Sequence, residues 1–600
     1  MERRKFIKTA GYTAAAGYIA SPLTGSTIDS LKAGNPPKLA SVVVKDNKVY
    51  VDTSTLTATI EKGIITSFRS KITGEEFIEK PDVTTFRALK LYYNSRDLVN
   101  INEEKFGSTE THQVSSLKAE TIFHCWDGDG VLSISADPEN GDLLIEPSAY
   151  SSRPGVMACR WCITGLKNGL ELIAPLFQGT RLKLDDPLIK NNRWGWPSSW
   201  EAAFAIFQSA KGGLWIHSRD KSYRFKALLT GTESDAYTIG LDSEAFGPID
   251  NNLSAGGVCW RLNVYQGDWQ VPAGEYKQWY YKAYDLDKEE SSRQPWIHDV
   301  KLAVSWCPGR TDILDALAKK ISPKQVILHF NNWRTFGYDE NYPDYHANEN
   351  AKEFIKKCHE MGFHVMPHFN SIDMDPMHPV FEQVRDFTYR SPDRKQLQGW
   401  SWYKGQSIGV PESNLNRLNG RDKKVMVKIH PGLSMWRSVL GNNILQASNE
   451  LLLDSVFIDV TLCIWNIHNC IVESMNPAEG MDKLIRHVGG LGKGLVVAGE
   501  GLNEITAQGL SFGQAHLFKS WQSNIEGVER TGGCPVNDFL FGKLCRTFGY
   551  NGLGGRNKNE ELRMQLHVDH KTIPTINVRT GEDIINPNPA VKKMIDIALS

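Results

Sequence analysis

The fold of this chain is decided by residues 456–461, Val-Phe-Ile-Asp-Val-Thr, an apolar and β-branched run interrupted by a single carboxylate. Such a run is typical of a strand that is buried on both faces of a parallel sheet. An isolated charge among these side chains would cost several kcal/mol, unless it were paired or solvated. The carboxyl end of a barrel strand is a place where a carboxylate is solvated and can react. The run therefore predicts a barrel strand that delivers Asp459 to a catalytic rim.

A second apolar run repeats this pattern. Residues 495–501, Leu-Val-Val-Ala-Gly-Glu-Gly, end in Glu500 between two glycines. Two carboxylates that end two successive buried strands match the requirement of glycoside hydrolysis for a nucleophile and an acid/base. Each carboxylate alone could equally cap a helix or pair with an arginine. The two together favour the catalytic interpretation.

Length and composition indicate a soluble protein of two or more domains. A chain of 600 residues is too long for one core. Its formal net charge of −1 argues against nucleic acid or an anionic membrane as the main partner, since both select for basic patches. The 17 Trp and 19 Tyr favour a carbohydrate partner, because aromatic faces stack on sugar rings.

The N-terminus resembles a twin-arginine export signal. Arg3 and Arg4 precede Phe-Ile-Lys and a weakly apolar run over 9–20, which is too short to span a bilayer. We assign residues 1–35 to this signal and expect cleavage between about residues 20 and 33. The mature protein is then expected to be periplasmic or secreted, with no membrane insertion.

The region 38–299 reads as β structure throughout. Short or alternating runs, including 275–284, are separated by Gly, Asp, Asn and Pro turns, and no convincing amphipathic helix interrupts them. So many strands without helices predict a large β-sandwich domain.

The region 300–585 alternates between strand and helix patterns and predicts a (β/α)₈ (TIM) barrel. An irregular stretch over 373–423, rich in Pro, Gly and Trp, interrupts this rhythm. Residues 586–600 read as a C-terminal helix that could lead to a further domain. The predicted strands are 302–306, 325–330, 364–369, 425–429, 456–461 and 495–500, and the predicted helices are 311–320, 348–361, 434–453 and 477–491.

Polar and aromatic side chains recur where the predicted barrel strands end, and they suit the binding of hydroxyl groups. Any one of them is more often a loop residue that satisfies its own backbone, so the interpretation rests on their recurrence. The segment 191–196 of the β half is a further candidate, because it is an aromatic-rich turn that could extend to the rim of the barrel. The candidate substrate-binding residues are Trp306, Asn331, Asn332, Trp333, His368, Asn370, Asp373, His430, Trp465, Asn503 and Glu504, with Trp194 and Trp196 from this segment.

Metal chemistry is the weaker interpretation. His364 and His368 would lie about 13 Å apart on one strand, too far to share an ion. We therefore assign no metal ligands and expect no required cofactor, while a structural calcium ion in the loop with Asp373, Asp375 and His378 stays an open alternative. The C-x-x-C pair at 159 and 162 has no second ligand pair, and we interpret it as two strand residues on opposite faces.

A β-sandwich followed by a barrel, with Phe-Ile-Asp-Val at one strand end and Ala-Gly-Glu-Gly at the next, resembles retaining α-glycosidases with an Asp nucleophile. The particular resemblance is to glycoside hydrolase family 101, the endo-α-N-acetylgalactosaminidases, and to a bacterial family of unknown function similar to their catalytic domain. It implies that Asp459 is the nucleophile and Glu500 the acid/base. In other Asp-nucleophile barrels the acid/base follows a later strand, so Glu504, Glu473 and Asp538 remain alternatives.

These observations predict an exported, retaining glycoside hydrolase that cleaves an α-linked sugar, of the α-galactoside or α-N-acetylgalactosaminide class. The alternatives are a non-catalytic carbohydrate-binding protein on the same scaffold and a metal-dependent hydrolase.

Overall fold

The structure is a computed structural model of the 600-residue chain. It describes residues 40–600, apart from 95–97, 101–107, 125–127, 188–189, 234–235, 394, 404–405, 408, 411–423, 516–532, 551–553 and 556–559. The predicted export signal over 1–35 lies outside the described residues. Within them, no helix is both long enough and apolar enough to cross a membrane.

The N-terminal half is built from antiparallel sheets. Four strands form a meander in the order β1-β2-β3-β4, a second sheet runs β13-β12-β15-β16-β20-β10-β9-β8-β7 with β19 beside β10, and a third runs β14-β17-β18-β11-β5-β6. The strands are β1 (Ser41–Lys45), β2 (Lys48–Asp52), β3 (Leu56–Glu61), β4 (Ile64–Ser70), β5 (Leu89–Tyr93), β6 (Leu98–Asn100), β7 (Ser108–Ser115), β8 (Lys118–His124), β9 (Gly128–Ala136), β10 (Leu143–Ser151), β11 (Val156–Leu166), β12 (Glu171–Ala174), β13 (Thr180–Lys183), β14 (Asn192–Gly195), β15 (Phe204–Gln208), β16 (Gly212–Ser218), β17 (Lys226–Glu233), β18 (Ala236–Glu244), β19 (Ser254–Gly256) and β20 (Trp260–Gln266).

These sheets confirm the β-rich character of the first half, and their packing as a two-layer sandwich stays a prediction. The alternation that predicted them is visible in β3, where every second residue is buried. Cys159 and Cys162 both lie in β11 as buried free thiols, which agrees with their interpretation as strand residues.

The strand predicted over 275–284 is wrong, because this segment is helical. Helix α1 (Gln270–Tyr284) is followed by α2 (Leu286–Ser292). Tyr276 and Tyr280 are buried on one face of α1, four residues apart, as helical periodicity requires. The aromatic residues of this segment had favoured a strand by propensity, and their spacing outweighs that preference.

The second half contains a nearly closed barrel of eight parallel strands, as the sequence predicted. Its order is β31-β30-β29-β28-β23-β22-β21-β32, and a parallel bridge between Phe548 and Ile573 joins the two ends. The eight strands are β21 (Leu302–Cys307), β22 (Val326–Phe330), β23 (His364–Asn370), β28 (Ser455–Asp459), β29 (Val496–Glu500), β30 (Phe512–Ala515), β31 (Arg546–Gly549) and β32 (Thr575–Ile576).

Helices surround these strands. Asn348 caps the second of them by accepting a hydrogen bond from the Ala351 amide, and Gly362 ends the same helix with a φ of 87°. Asn476 caps the helix that follows β28 in the same way, with Pro477 at its first position. The helices are α3 (Thr311–Ala318), α4 (Glu349–Met361), α5 (Phe381–Val384), α6 (Ser434–Leu451), α7 (Pro477–Gly489), α8 (Val536–Phe541), α9 (Glu560–Asp569), α10 (Glu582–Ile585) and α11 (Pro589–Leu599), and short 3₁₀ turns cover Pro295–His298, Pro323–Gln325, Arg385–Phe387 and Thr506–Gln508.

The predicted strand over 425–429 exists but is not a barrel strand. It belongs to a small antiparallel sheet in the order β24-β27-β25-β26, inserted between β23 and α6. Its strands are β24 (Asp373–Met374), β25 (Gly399–Tyr403), β26 (Gln406–Ser407) and β27 (Lys424–Lys428). This sheet accounts for part of the stretch that looked irregular in sequence.

The interior of the barrel is a compact apolar cluster. Its members include Phe457 of β28 and Ala498 of β29, whereas Ile458 faces the outer core against the helices. Because side chains alternate along a strand, the residue two positions after each inner residue also points inward. Asp459 and Glu500 occupy these positions at the carboxyl end of the barrel.

Candidate active site

Asp459 and Glu500 are side by side on neighbouring strands. Ile458 pairs in register with Gly499, so the next residue of each strand is Asp459 on β28 and Glu500 on β29. Paired residues of adjacent strands have backbones about 4.8 Å apart and side chains on the same face. The two carboxylates therefore enter the same end of the barrel, as the sequence pattern predicted.

The Asp459 carboxyl group is held from one side only. Its Oδ2 accepts a hydrogen bond from the Tyr338 hydroxyl at 3.3 Å and lies 3.5 Å from Nε2 of His368. Its Oδ1 is buried and meets no hydrogen-bond partner in the part of the chain that the structure describes. One oxygen is thus oriented by the protein, and the other is left for a ligand.

The pKa of Asp459 lies well above its ordinary value. Burial is the largest cause, followed by the nearby carboxylates of Glu500, Asp339 and Asp373, while the backbone amide of Val460 opposes the rise. Two neighbouring carboxylates in a poorly solvated site cannot both ionise without mutual repulsion. The pair consequently tends to hold one proton between its two members.

Glu500 is the more accessible member of the pair. Asp459 is 5% exposed, whereas Glu500 is only half-buried. The Thr461 hydroxyl donates to the Glu500 backbone carbonyl at 2.7 Å, which fixes the strand end that carries this side chain. The arrangement places one carboxylate deep in the barrel and a second nearer to solvent.

A buried ion pair adjoins these carboxylates. Lys428 Nζ lies 3.0 Å from Asp373 Oδ1, and both side chains are almost fully buried. Asn370 Nδ2 donates to the other oxygen of Asp373 at 3.1 Å. The Lys428 ammonium also lies 3.5 Å from the centre of the Trp400 ring, a cation–π contact.

Asp339 is a further buried carboxylate, close enough to Asp373 and Asp459 to act on them electrostatically. Both indole N–H groups of Trp400 and Trp402 donate to its Oδ2, while its Oδ1 has no partner among the described residues. Burial, together with the charge of Asp373, raises the pKa of Asp339 to about 7, although the indole donors oppose this. A ligand hydroxyl at Oδ1 would satisfy the one acceptor that the protein leaves open.

Aromatic rings close the site from the side of β21. Trp306, with a φ of 55°, donates from its indole to the Tyr550 carbonyl at 3.0 Å. Its ring lies 5.9 Å from that of Tyr338 and 5.7 Å from that of His368. Of the predicted binding residues, Trp306, His368, Asn370 and Asp373 are thus gathered near Asp459.

Three other predicted residues serve the local structure. Trp333 is fully buried and donates to the His368 carbonyl, with its ring against Phe369. His430 uses both ring nitrogens, one with the Cys470 carbonyl and one with the Gly432 amide. Asn503 accepts two backbone hydrogen bonds at the start of a 3₁₀ turn.

Glu504 joins the two halves of the protein. Its carboxylate accepts hydrogen bonds from the Trp196 indole and from the Tyr276 hydroxyl, at 2.6 Å for the latter. Trp196 also carries Lys226 over its ring, at 3.8 Å. The segment 191–196 therefore does contact the barrel, but through the loop after β29.

The remaining candidates lie elsewhere. Trp194 is buried in β14, where its indole donates to Thr230. Asn332 is exposed, Asn331 is partly buried, and Trp465 packs partly buried against the outer core. Of the alternative acid/bases, Glu473 is exposed and accepts from Ser434, and Asp538 lies on α8 at 3.6 Å from Lys571.

The histidines predicted to be unable to share an ion are separated as expected. His364 contacts Asp454 at 2.8 Å at the start of β23, and His368 lies at the other end of that strand beside Asp459. Within the described residues, no three His, Cys, Asp or Glu side chains are grouped as metal ligands. The predicted lack of a required cofactor stays a prediction.

Sequence reasoning missed five residues of this site: Tyr338, Asp339, Trp400, Trp402 and Lys428. For Lys428 there was a usable signal, because it interrupts the run Val-Met-Val-Lys-Ile as Asp459 interrupts its own strand. The two Trp residues belong to the inserted sheet, whose approach to the barrel is a tertiary feature that no local pattern encodes.

Comparison with known proteins places this geometry in a wider context. Residues 259–483 match the family DUF6259, which is described as a domain of unknown function. No curated protein matches the chain. Among solved structures, the chain is similar to the ligand-free α-N-acetylgalactosaminidase NagBb from Bifidobacterium bifidum, with a TM-score of 0.63 and 13% identity over 93% of this chain and 92% of that chain. The complex of the same enzyme with Gal-NHAc-DNJ gives a TM-score of 0.64 at 12% identity, with the same coverage.

At this level of identity the likeness concerns the fold. It extends over both halves of the chain and shows a shared fold, and it does not single out family 101.

Proposed function

We propose that this protein is a retaining glycoside hydrolase that cleaves an α-linked galactose or N-acetylgalactosamine. The observation that carries the proposal is the pair of in-register carboxylates at the ends of β28 and β29. Retaining glycosidases use two carboxyl groups about 5–5.5 Å apart, which is close to the spacing between adjacent strands.

In the first step, Oδ1 of Asp459 attacks the anomeric carbon and forms a glycosyl ester. Oδ1 suits this role because it has no hydrogen-bond partner within the described chain, while Oδ2 accepts from Tyr338 and lies 3.5 Å from His368 Nε2. Glu500 simultaneously gives its proton to the departing glycosidic oxygen, so the leaving alcohol departs neutral.

In the second step, the Glu500 carboxylate accepts a proton from water as that water attacks the anomeric carbon. The ester bond to Asp459 breaks, the sugar leaves with its original configuration, and Glu500 is protonated again. The greater exposure of Glu500 supports this assignment, since the residue that exchanges protons with leaving group and water must be reached by both.

Neighbouring polar groups are suited to hold the sugar. Asp339 has one buried oxygen without a partner in the described structure, and it can accept a hydrogen bond from a hydroxyl. The ammonium of Lys428 has two further hydrogens beyond the one directed at Asp373, and a sugar oxygen can accept these.

The charge of the site favours a sugar without acidic groups. Asp339, Asp373, Asp459 and Glu500 act on one another electrostatically, and Lys428 is the cation that neutralises part of their charge. A uronic or sialic acid would add a further negative charge to this group. The α-galacto configuration is proposed from the similarity to NagBb, whose name describes an α-N-acetylgalactosaminidase.

A screen of the purified protein against nitrophenyl α- and β-glycosides tests the proposal. Hydrolysis of an α-galactoside or α-N-acetylgalactosaminide is expected, with loss of turnover in Asp459→Asn, an isosteric change that removes the nucleophile but keeps folding and binding. Activity on β-glycosides alone would overturn the assignment of the linkage. Sugar binding by calorimetry without any hydrolysis would favour the carbohydrate-binding alternative.

The proposal includes export by the twin-arginine route, supported by the Arg3-Arg4 motif of the N-terminal sequence. Fractionation of cells that express the full chain should find the protein outside the cytoplasm. Lys substitution of both arginines should retain it inside, and unchanged localisation of that variant would refute this part of the proposal.

A further inference from the structure

Below Asp459, four polar side chains form a continuous chain across the barrel interior. Each comes from a different strand, and all four are buried. Buried polar groups generally find partners, and within the described residues only Gln514 Oε1 and His368 Nε2 of these four side chains have none, so the direction of the hydrogens can be followed from one end. We call this set the histidine relay; it consists of Ser305 on β21, Gln514 on β30, His329 on β22 and His368 on β23.

A backbone carbonyl fixes the first link. Ser305 Oγ donates to the Tyr550 carbonyl at 3.0 Å, which uses its only hydrogen. Ser305 Oγ must therefore act as the acceptor for Gln514, whose side-chain nitrogen lies 3.2 Å away. In this structure the NH₂ group of the Gln514 amide lies toward Ser305, and its Oε1 has no hydrogen-bond partner among the described residues.

The Gln514 amide in turn fixes both imidazole tautomers. Its NH₂ group lies 3.3 Å from Nδ1 of His329, so Nδ1 is an acceptor and the hydrogen of His329 is on Nε2. That nitrogen lies 3.0 Å from Nδ1 of His368 and donates to it. The hydrogen of His368 is then on Nε2, which lies 3.5 Å from Asp459 Oδ2 and makes no hydrogen bond to any described residue.

This assignment requires both imidazoles to be neutral, and their surroundings make them so. Burial lowers the pKa of His329 to about 3. Burial, His329 and Arg334 together lower the pKa of His368 well below its ordinary value. At neutral pH each ring carries one hydrogen, and the relay has one consistent direction.

We propose that the histidine relay is a positioning device, which directs a fixed N–H group at Asp459 and so keeps the shared proton of the carboxyl pair on Glu500. The inference rests on the proposed function and deepens it. The reverse direction would turn a lone pair of His368 toward Asp459, and the proton would then be favoured on the nucleophile, where it blocks attack. The relay also acts on Oδ2 only, which leaves Oδ1 directed at the substrate.

The tautomers can be measured without any activity. In protein labelled with ¹⁵N-histidine, nitrogen shifts distinguish a protonated ring nitrogen from a bare one, and His329→Gln and His368→Gln spectra assign the signals. We expect a hydrogen on Nε2 of both rings in the wild type. In Gln514→Met, which keeps the length of the side chain but removes its donor, His329 should show a mixture of tautomers.

Kinetics test the consequence. Gln514→Met should move the acidic limb of the kcat/KM profile upward by about one pH unit, a tenfold change in the ionisation equilibrium of Asp459. Ser305→Ala should cause a smaller shift in the same direction. These variants leave the other titratable and charged groups around Asp459 unchanged. Those groups are Tyr338, Asp339, Tyr342, Asp373, Lys428, Cys463, Glu500 and Tyr550, together with Arg334 near His368.

Ser455→Ala is the matched control. Ser455 lies on β28 with Asp459, and its hydroxyl makes a buried hydrogen bond to the Val365 carbonyl at the opposite end of that strand. Loss of this bond should lower stability without moving the acidic limb.

Two results would overturn the inference: a hydrogen on Nδ1 of His368 in the wild type, or a Gln514→Met enzyme that is slower at every pH with an unshifted limb. A protein that hydrolyses no glycoside would refute the proposed function, while the nitrogen spectra would still decide the direction of the relay.

Discussion

Replacement of Lys428 by Met is the perturbation whose outcome the structure defines most sharply. The change keeps the length of the side chain and removes the cation that lies 3.0 Å from Asp373. Asp373 is fully buried and would retain Asn370 as a partner for its other oxygen. The variant therefore leaves a buried carboxylate without its counter-ion.

The expected loss of stability is large. Removal of one partner from a buried ion pair costs about 3–5 kcal/mol, because the remaining charge is uncompensated. For a cooperative unit of about 250 residues, 1 kcal/mol corresponds to about 2 °C in the unfolding midpoint. Lys428→Met should therefore lower the midpoint by about 6–10 °C at neutral pH.

The loss of stability in Lys428→Met should depend on pH, and the direction of that dependence identifies its cause. Burial already raises the pKa of Asp373, despite the opposing charge of Lys428, and loss of that charge raises it further. An acid with a raised pKa in the folded state binds more protons folded than unfolded, so stability falls as pH rises above about 4. The deficit should be smaller at pH 5 than at pH 8 and should level off above the pKa of folded Asp373.

The complementary variants sharpen this test. Asp373→Asn leaves Lys428 buried alone and should be least stable at acidic pH, the opposite trend, because a buried lysine resists protonation. The double variant removes both charges and should regain most of the lost stability. Thermal unfolding followed by circular dichroism at pH 5 and pH 8 measures all four proteins. Equal losses at both pH values, or a double variant as unstable as the sum of the singles, would refute the assigned ion pair.

Three further predictions follow from the same contacts. Glu500→Ala should retain much of the rate of the first step on nitrophenyl glycosides but lose activity on natural glycosides, which need a proton on the leaving oxygen. Added azide should restore the second step and yield a glycosyl azide. Equal loss of activity on both substrates, without rescue by azide, would exclude Glu500 as the acid/base. Glu504→Gln weakens the contacts of Trp196 and Tyr276 and should cost about 1–3 kcal/mol of stability, with an unchanged pH profile; a shifted profile would return Glu504 to the catalytic candidates. Residues 300–600 expressed alone should be insoluble or inactive, because this fragment lacks Trp196 and Tyr276 and exposes the apolar surface that the first half covers. A soluble, active fragment would contradict this prediction.

The barrel was predictable because its signal is local. Apolar runs of strand length alternate with helical segments, and a polar residue recurs near the carboxyl end of each run. The same local signal identified Asp459 and Glu500, whose adjacency then followed from parallel register. What the pattern could not provide was the insertion between β23 and α6, which brings Lys428 and Trp400 to the site.

The misassigned residues show the limit of reasoning from position along a strand. Trp333 and His430 were chosen for their place near the end of an apolar run, as His368 was, yet Trp333 packs in the outer core and His430 follows a strand of the inserted sheet. The helix at 270–284 was missed because its Tyr residues favour strands by propensity, while their four-residue spacing favours a helix. Tertiary packing decides such cases.

The most direct test of the proposed chemistry is mass spectrometry of the protein after reaction with a slowly turned-over substrate. The 5-fluoro glycosyl fluoride of the sugar that the screen identifies should form an ester that accumulates, because the fluorine slows its hydrolysis. After digestion, the added mass of one fluorosugar is expected on the peptide that contains Asp459, and it should be absent from the Asp459→Asn protein. Label on Glu500 or another residue, or rapid turnover to a product of inverted configuration, would contradict double displacement through Asp459.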